Sequence, residues 1–123
     1  MTETTSYTVG ETAERTGFSI DTLRYYERLG LVDGVSRDAG GRRRYTAGDL
    51  AWLGFLSCLR DTGMPLREMQ QFAVLAQAGD LDPARRREIL KAHHTRVRQR
   101  ITELTGQLRH IEDKIAYYRD QER

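Results

Sequence analysis

Thr22-Leu23-Arg24-Tyr25-Tyr26-Glu27, followed beyond a turn by Gly40-Gly41-Arg42-Arg43-Arg44-Tyr45, is the stretch on which the fold turns. The first hexapeptide lies on a predicted helix that opens at Ser19, a good N-cap. Asp21 sits in its first turn, where the helix dipole favours an acid, and Ile20, Leu23 and Tyr26 or Glu27 follow at helical spacing. Upstream, Thr8 as a cap and the placing of Val9, Ala13 and Phe18 predict a helix over 9–16, after one extended residue pair and stopped by Gly17. Two short helices joined through Gly17-Phe18-Ser19 make a helix-turn-helix, with 20–29 as the second helix. A short helix can enter a major groove, and an arginine triplet behind a Gly pair can reach the phosphates beside it.

Downstream, Leu29-Gly30-Leu31-Val32 ends the second helix with a glycine cap and an apolar return to the core. Val35-Ser36-Arg37 and Arg44-Tyr45 are short extended pieces around Asp38-Ala39-Gly40-Gly41, which predicts a β-hairpin, or wing. Thr46 with Asp49 is a near capping box, and Leu50, Leu53, Phe55, Leu56 and Leu59 carry a helix to about Thr62, where Gly63 stops it. Pro65 suits the first turn of the next helix, with Leu66, Met69, Phe72, Ala73 and Leu75, until Ala78-Gly79-Asp80 break the pattern.

Asp82-Pro83 opens the longest periodic segment, reaching about Arg119. Its apolar or borderline positions are Leu90, His94, Val97, Ile101, Leu104, Leu108, Ile111, Ile115 and Tyr118, at alternating spacings of four and three. That is a coiled-coil seam. A helix of roughly 37 residues extends about 55 Å, far beyond what a small preceding domain covers, so the seam needs a partner helix. The simplest partner is the same helix of a second chain, which predicts a homodimer. The expected organisation is a DNA-binding domain over 1–77, a linker over 78–82 and a dimerisation helix over 83–123.

Composition is consistent with that division. Of 123 residues 38% are hydrophobic and 31% charged, enough for one modest core with an elongated appendage. The net charge of +2 carries no strong nucleic-acid signal, so placement matters. Residues 1–80 hold nine Arg against eleven acids, and residues 81–123 eleven Lys/Arg against seven. The single Cys58 rules out an intrachain disulfide and any multi-thiolate metal site within one chain. Met1 to Ser6 lack a basic and apolar leader pattern and no segment approaches membrane-spanning length, so a soluble, cytoplasmic protein is expected.

Consecutive helical residues stand about 100° apart, so Arg24, Tyr25 and Tyr26 cannot share one face. Tyr26, a turn beyond Leu23, is the tyrosine expected to pack inward, leaving Thr22, Arg24 and Tyr25 for the groove and its phosphate walls. The plainer alternative is that Arg24 and Tyr25 merely coat an exposed helix. Strand alternation puts Arg42 and Arg44 on one face and Arg43 on the other, so at least one arginine of the triplet is a candidate for a structural role, while a solvated charge run is the alternative for all three. The candidate DNA-binding residues are thus Thr22, Arg24, Tyr25, Tyr26, Arg42, Arg43 and Arg44.

Tyr7-Thr8-Val9-Gly10-Glu11, Gly17-Phe18-Ser19, Thr22 to Leu31, Gly41 to Tyr45 and Asp49-Leu50 together resemble the MerR family of bacterial transcription regulators. The resemblance spans the chain and implies a mostly α fold: a winged helix-turn-helix followed by a long helix that forms an antiparallel coiled-coil dimer. It also implies a homodimer that binds a palindrome in a promoter with an overlong spacer, activates by bending and untwisting the DNA, and works with RNA polymerase. Such deformation is read partly as DNA shape. One departure is Pro65, where many members carry a Ser or Thr cap.

The family's metal sensors use cysteines near the start of the long helix and in a loop after it, and this chain has neither; His93 and His94 are adjacent and point apart, so no metal and no cofactor is expected. With Arg123 directly after the coiled coil, no appended ligand domain of the kind that the family's drug-binding members carry is expected. The segment Phe55 to Met64 and the segment Phe72 to Asp80 are similar to the thiol-based branch of the family, which responds to aldehydes or nitrosative stress through one cysteine in this helix. Cys58 is then the candidate sensor thiol, a thiolate able to add to an electrophile. The alternative is a small buried apolar residue, and Asp61 one turn away disfavours the thiolate. The basic start of the long helix, Arg85-Arg86-Arg87 with Lys91, Arg96, Arg98 and Arg100, is either an ordinary solvated coil face or a set of contacts to flanking DNA. A coiled-coil protein-interaction module that does not read DNA is the alternative function, and no catalytic constellation points to an enzyme.

Overall fold

The structure, a computed structural model, describes residues 5–78 and 83–123. The chain divides into two compact units, Met1–Arg87 and Glu88–Arg123. The expected break at Gly79-Asp80, most of the expected 78–82 linker and the Met1 to Thr4 leader reading lie outside the described residues.

The first unit begins with strand β1 (Ser6–Tyr7) and helix α1 (Val9–Thr16), followed by α2 (Ile20–Arg28). The wing is β2 (Ser36–Arg37) and β3 (Arg43–Thr46), and α3 (Ala47–Asp61) and α4 (Leu66–Gln77) complete the domain. Local chemistry sets these boundaries. Thr8 forms a full capping box with Glu11, whose carboxylate accepts from the Thr8 N–H at 2.9 Å, and Thr46 does the same with Asp49. Gly17 closes α1 at φ 81°, donating to the Ala13 carbonyl at 3.0 Å; Gly30 follows α2 at φ 79°, donating to the Glu27 carbonyl at 3.1 Å. Both positions need the left-handed backbone that glycine adopts without a Cβ clash. Pro65 is the N-cap of α4 and makes no side-chain cap; its carbonyl accepts from Glu68 and Met69 at 3.0 and 3.1 Å.

The sheet has one strand more than the predicted hairpin. β1 pairs antiparallel with β3, Ser6 opposite Thr46 and Tyr7 opposite Tyr45, so β3 is central in the order β1-β3-β2. The expected extended pair before α1 is therefore a sheet edge. β2 pairs with β3 on the other side, Ser36 opposite Arg44 and Arg37 opposite Arg43.

One core holds the domain. Leu23 and Tyr26 of α2, Leu31 and Val32, Tyr45 of β3, Leu53, Leu56 and Leu59 of α3, and Met69 and Phe72 of α4 are buried. Burying each such side chain fully contributes about 1.5–3 kcal/mol. Trp52 spans two parts of it: its indole N–H donates to the Leu31 carbonyl at 2.7 Å and its ring stacks on Phe72, centroids 5.7 Å apart. The α2 exit is thereby fixed to α3 and α4.

Helix α5 (Ala84–Gln121) runs 38 residues, about 57 Å. Within the second unit its apolar positions Ile101, Leu104, Leu108, Ile111, Ile115 and Tyr118 are all exposed. Of the earlier seam positions Leu90 and Val97 are half-buried and His94 is exposed. Among the described residues no helix is long and apolar enough to cross a membrane.

Candidate nucleic-acid interface

Helix α2 is organised by the periodicity of its own sequence. Leu23 and Tyr26 point into the core, the Tyr26 ring meeting Phe18 edge to face at 5.1 Å. Tyr26 is 5% exposed, which removes it from the DNA-facing set and places it where the spacing from Leu23 requires. Burial raises its phenol pKa, so its hydroxyl stays neutral. Arg24 and Tyr25 stand outside, Tyr25 at 43% exposure. The Arg28 guanidinium lies 5.9 Å from the Tyr25 ring centroid, one turn along the same face. Arg28 was not singled out from the sequence, although its i+3 relation to Tyr25 is the signal that finds it.

Thr22 is half-buried at the start of this helix. Its backbone N–H donates to the Ser19 hydroxyl at 3.1 Å, and the Ser19 hydroxyl donates to Thr22 Oγ1 at 2.8 Å. The Ser19 hydroxyl thus caps the helix, and the Thr22 hydroxyl accepts from that cap.

The arginine triplet divides into different roles. Arg42 is exposed; its backbone N–H, with that of Gly40, donates to Asp38 Oδ1 at 3.0 and 2.9 Å and folds the wing tip. These N–H donors, that of Arg42 foremost, hold the Asp38 carboxyl below its ordinary pKa. Arg43 is turned toward α2 and donates its Nε–H to the Glu27 carboxylate. Arg44 reaches across to β1, with Nη2 and Nε donating to Ser6 Oγ at 2.8 and 3.0 Å and Nη2 to the Ser6 carbonyl at 3.2 Å. Arg42 lies just before β3, outside the strand on which alternation was expected to pair it with Arg44, and Arg44 as well as Arg43 has a protein partner. Arg37, not singled out earlier, joins the exposed set and donates to the Gly41 carbonyl at 2.9 Å.

Cys58, on α3, is exposed rather than a core residue, because Leu56 and Leu59 take the inward positions on either side of it. Asp61, one turn on, is paired with Arg60 at 3.0 Å. Among the described residues no group of three or more His, Cys, Asp or Glu side chains is placed to hold a metal.

A capped second helix presenting Arg24 and Tyr25, with an arginine-bearing hairpin fastened to its end, defines a winged helix-turn-helix DNA-binding domain. The family model described as MerR HTH family regulatory protein matches residues 7–73, and that for the MerR DNA-binding region matches 50–115. A helix-turn-helix transcriptional regulator of Haemophilus influenzae is 39% identical over 113 residues, covering 92% of this chain and 84% of that one. The regulator AdhR of Bacillus subtilis is 33% identical over 89 residues, 72% of this chain and 64% of its own. The crystal structure of HiNmlR, a MerR family regulator lacking the sensor domain and bound to promoter DNA, superposes with a TM-score of 0.85 at 38% identity, covering 94% of this chain and 92% of that one. The chain belongs to the MerR family of helix-turn-helix regulatory proteins, and it is a DNA-binding transcriptional regulator of that type.

Proposed function

We propose that the protein acts as a homodimer on a palindromic promoter, without catalysis, and controls transcription by RNA polymerase through distortion of the promoter DNA. The observation that carries this reading is the exposed Arg24–Tyr25 face of α2, held beside the wing by Arg43 and Glu27. One such face reads one half-site. The exposed seam of α5 supplies a surface for a second copy, which sets the separation of two half-sites. Thr22, Arg24 and Tyr25 dock in the groove and Arg42 meets phosphate, while Arg43 and Arg44 hold the wing in place. HiNmlR, bound to promoter DNA, supports this assignment at 38% identity.

Fluorescence anisotropy with a promoter fragment carrying an inverted repeat tests the reading. Dimer-dependent binding is expected, tighter than to a scrambled fragment of equal length; equal affinity for both fragments overturns it.

The same regulator responds to a thiol-reactive electrophile, an aldehyde in the first instance, through Cys58. The thiol sulfur adds to the carbonyl carbon and its proton passes to the carbonyl oxygen, giving a hemithioacetal with no oxidant required. Exposure of Cys58 and the engagement of Asp61 by Arg60 support this step. Cys58→Ser is expected to bind DNA as the parent does and to lose any aldehyde response; an unchanged response rejects the thiol.

A further inference from the structure

Between the exit of α2 and the packed pair α3 and α4 lies an open cleft of about 210 Å³, lined by Val32, Asp33, Asp49, Trp52, Ala76 and Gln77. All of them belong to the first unit. Two are acids, and none is Lys, Arg or His. Neither Asp33 nor Asp49 has an ion-pair partner among the described residues. Two uncompensated carboxylates on one small cleft give it a negative local field, although the chain as a whole carries +2.

The hydrogen-bonding groups around the cleft are one-sided. Trp52 has a single donor, its indole N–H, and spends it on the Leu31 carbonyl. The Gln77 amide nitrogen has two hydrogens and donates to the Gly30 and Leu31 carbonyls at 3.0 and 3.4 Å, which leaves Oε1 to accept. Asp49 Oδ2 accepts from the Thr46 N–H at 2.9 Å, and Oδ1 is left over. Asp33 is exposed, and its carboxylate has no partner among the described residues. With the side-chain donors spent, the side chains of the cleft offer a ligand acceptors and negative charge. Val32, Ala76 and the Trp52 indole supply its apolar wall.

We propose that this cleft binds a free short alkylamine as its ammonium ion. The N–H groups donate to Asp33, Asp49 and Gln77, and the alkyl chain lies against Trp52, Val32 and Ala76. Such an amine is protonated at neutral pH as a lysine side chain is, with a pKa of about 10.4. An anion would meet like charge, and a ligand that only accepts would leave these groups unpaired. A quaternary ammonium brings the charge but no N–H. Size sets the upper limit: the volume equals that of about seven waters at roughly 30 Å³ each. Drug-sized ligands, whose pockets begin at about 300 Å³, are too large. The site is formed by the first unit alone and does not depend on the dimer or on the DNA reading put forward above.

Trp52 is the single tryptophan of the chain, so its fluorescence reports on this cleft in the full-length protein without DNA. Titration with n-butylammonium chloride at constant ionic strength is expected to change Trp52 emission saturably and to shift the indole Nε1–H resonance. Butanoate and KCl are expected to do neither. No saturable change, or an equal change with butanoate or KCl, overturns the proposal. Equal affinity for tetramethylammonium overturns recognition through N–H donors. Tighter binding of Nα-acetyl-lysine N-methylamide than of n-butylammonium assigns the cleft to a protein lysine and overturns the free amine. Asp33 caps no helix, so its variants separate binding from folding. Asp33→Asn is expected to weaken n-butylammonium binding several-fold, and Asp33→Lys, which brings its own ammonium to the cleft, to abolish it. Unchanged affinity in Asp33→Asn, with the Nε1–H resonance of the free protein in place, overturns the site.

Discussion

Arg43 on β3 donates its Nε–H to the carboxylate of Glu27 on α2, and this partly buried ion pair fastens the wing to the end of the second helix. It also neutralises an acid on the helix that carries Arg24 and Tyr25. The neighbouring Arg44 fastens the other side of the sheet through Ser6. A run of three arginines is thus one exposed cation beside two that hold the hairpin in place.

Salt dependence separates these roles. Each phosphate contact contributes about 0.9 to the slope of log affinity against log salt. Arg42→Gln is expected to lower the slope by about one contact's worth. Arg43→Gln is expected to weaken binding with the slope unchanged, because it disturbs where the wing sits. Equal slope changes for the two variants would place both guanidiniums on phosphate.

The wing tip carries an acid-sensitive element. Asp38 accepts from Gly40 and Arg42 N–H groups, and its folded pKa lies below the ordinary 3.8. A lowered folded value means that its contribution to stability is present above the unfolded pKa and is lost as pH falls through the folded one. Asp38→Ala is expected to speed amide exchange at Gly40 and Arg42 at neutral pH, and to lessen the fall in stability below about pH 4. Unchanged exchange at both amides would show that the turn holds without the carboxylate.

Tyr45 titrates at the opposite end of the scale. Its ring is buried and its hydroxyl has no hydrogen-bond partner among the described residues. Burial first, and the Glu27 charge next, raise its pKa above 10.0. A raised folded value leaves stability fully present below the unfolded pKa and removes it as pH rises toward the folded one. Tyr45→Phe is expected to be neutral or stabilising by up to about 1 kcal/mol near pH 7, since an unpaired buried hydroxyl costs free energy. It should also flatten the alkaline limb of the stability curve. A loss of more than about 1 kcal/mol in urea denaturation would reveal a partner for the hydroxyl.

What the chain discloses by itself is what its neighbours decide. Thr8 with Glu11, Ser19 with Thr22 and Thr46 with Asp49 are caps three residues long, and the helix starts follow from them. Tyr26 facing inward follows from Leu23 by helical period. The Arg43–Glu27 and Arg44–Ser6 contacts span 16 and 38 residues, and no local pattern announces them. The pairing of β1 is illegible for the same reason: an extended pair before α1 can be expected from the sequence, but two residues have no periodicity that announces Tyr45 and Thr46 as their partners. Cys58 is ambiguous in sequence because cysteine is compatible with either side of α3; exposure is decided by which residues of that helix meet the core.

Gly106 offers a test of the long helix apart from DNA. It lies in the middle of α5, and a Cβ built there meets nothing within 4 Å. It falls between Leu104 and Leu108 in sequence but at the heptad position opposite the seam, so a methyl group should neither fill nor obstruct the proposed dimer contact. Glycine in a helix interior costs about 0.5–1 kcal/mol relative to alanine through backbone entropy. Gly106→Ala is therefore expected to stabilise the folded protein by roughly that amount per chain in thermal or urea unfolding, with sedimentation and DNA affinity unchanged. A destabilised or dissociated Gly106→Ala protein would mean that another chain packs closely on this face of α5, and the seam would have to be reassigned.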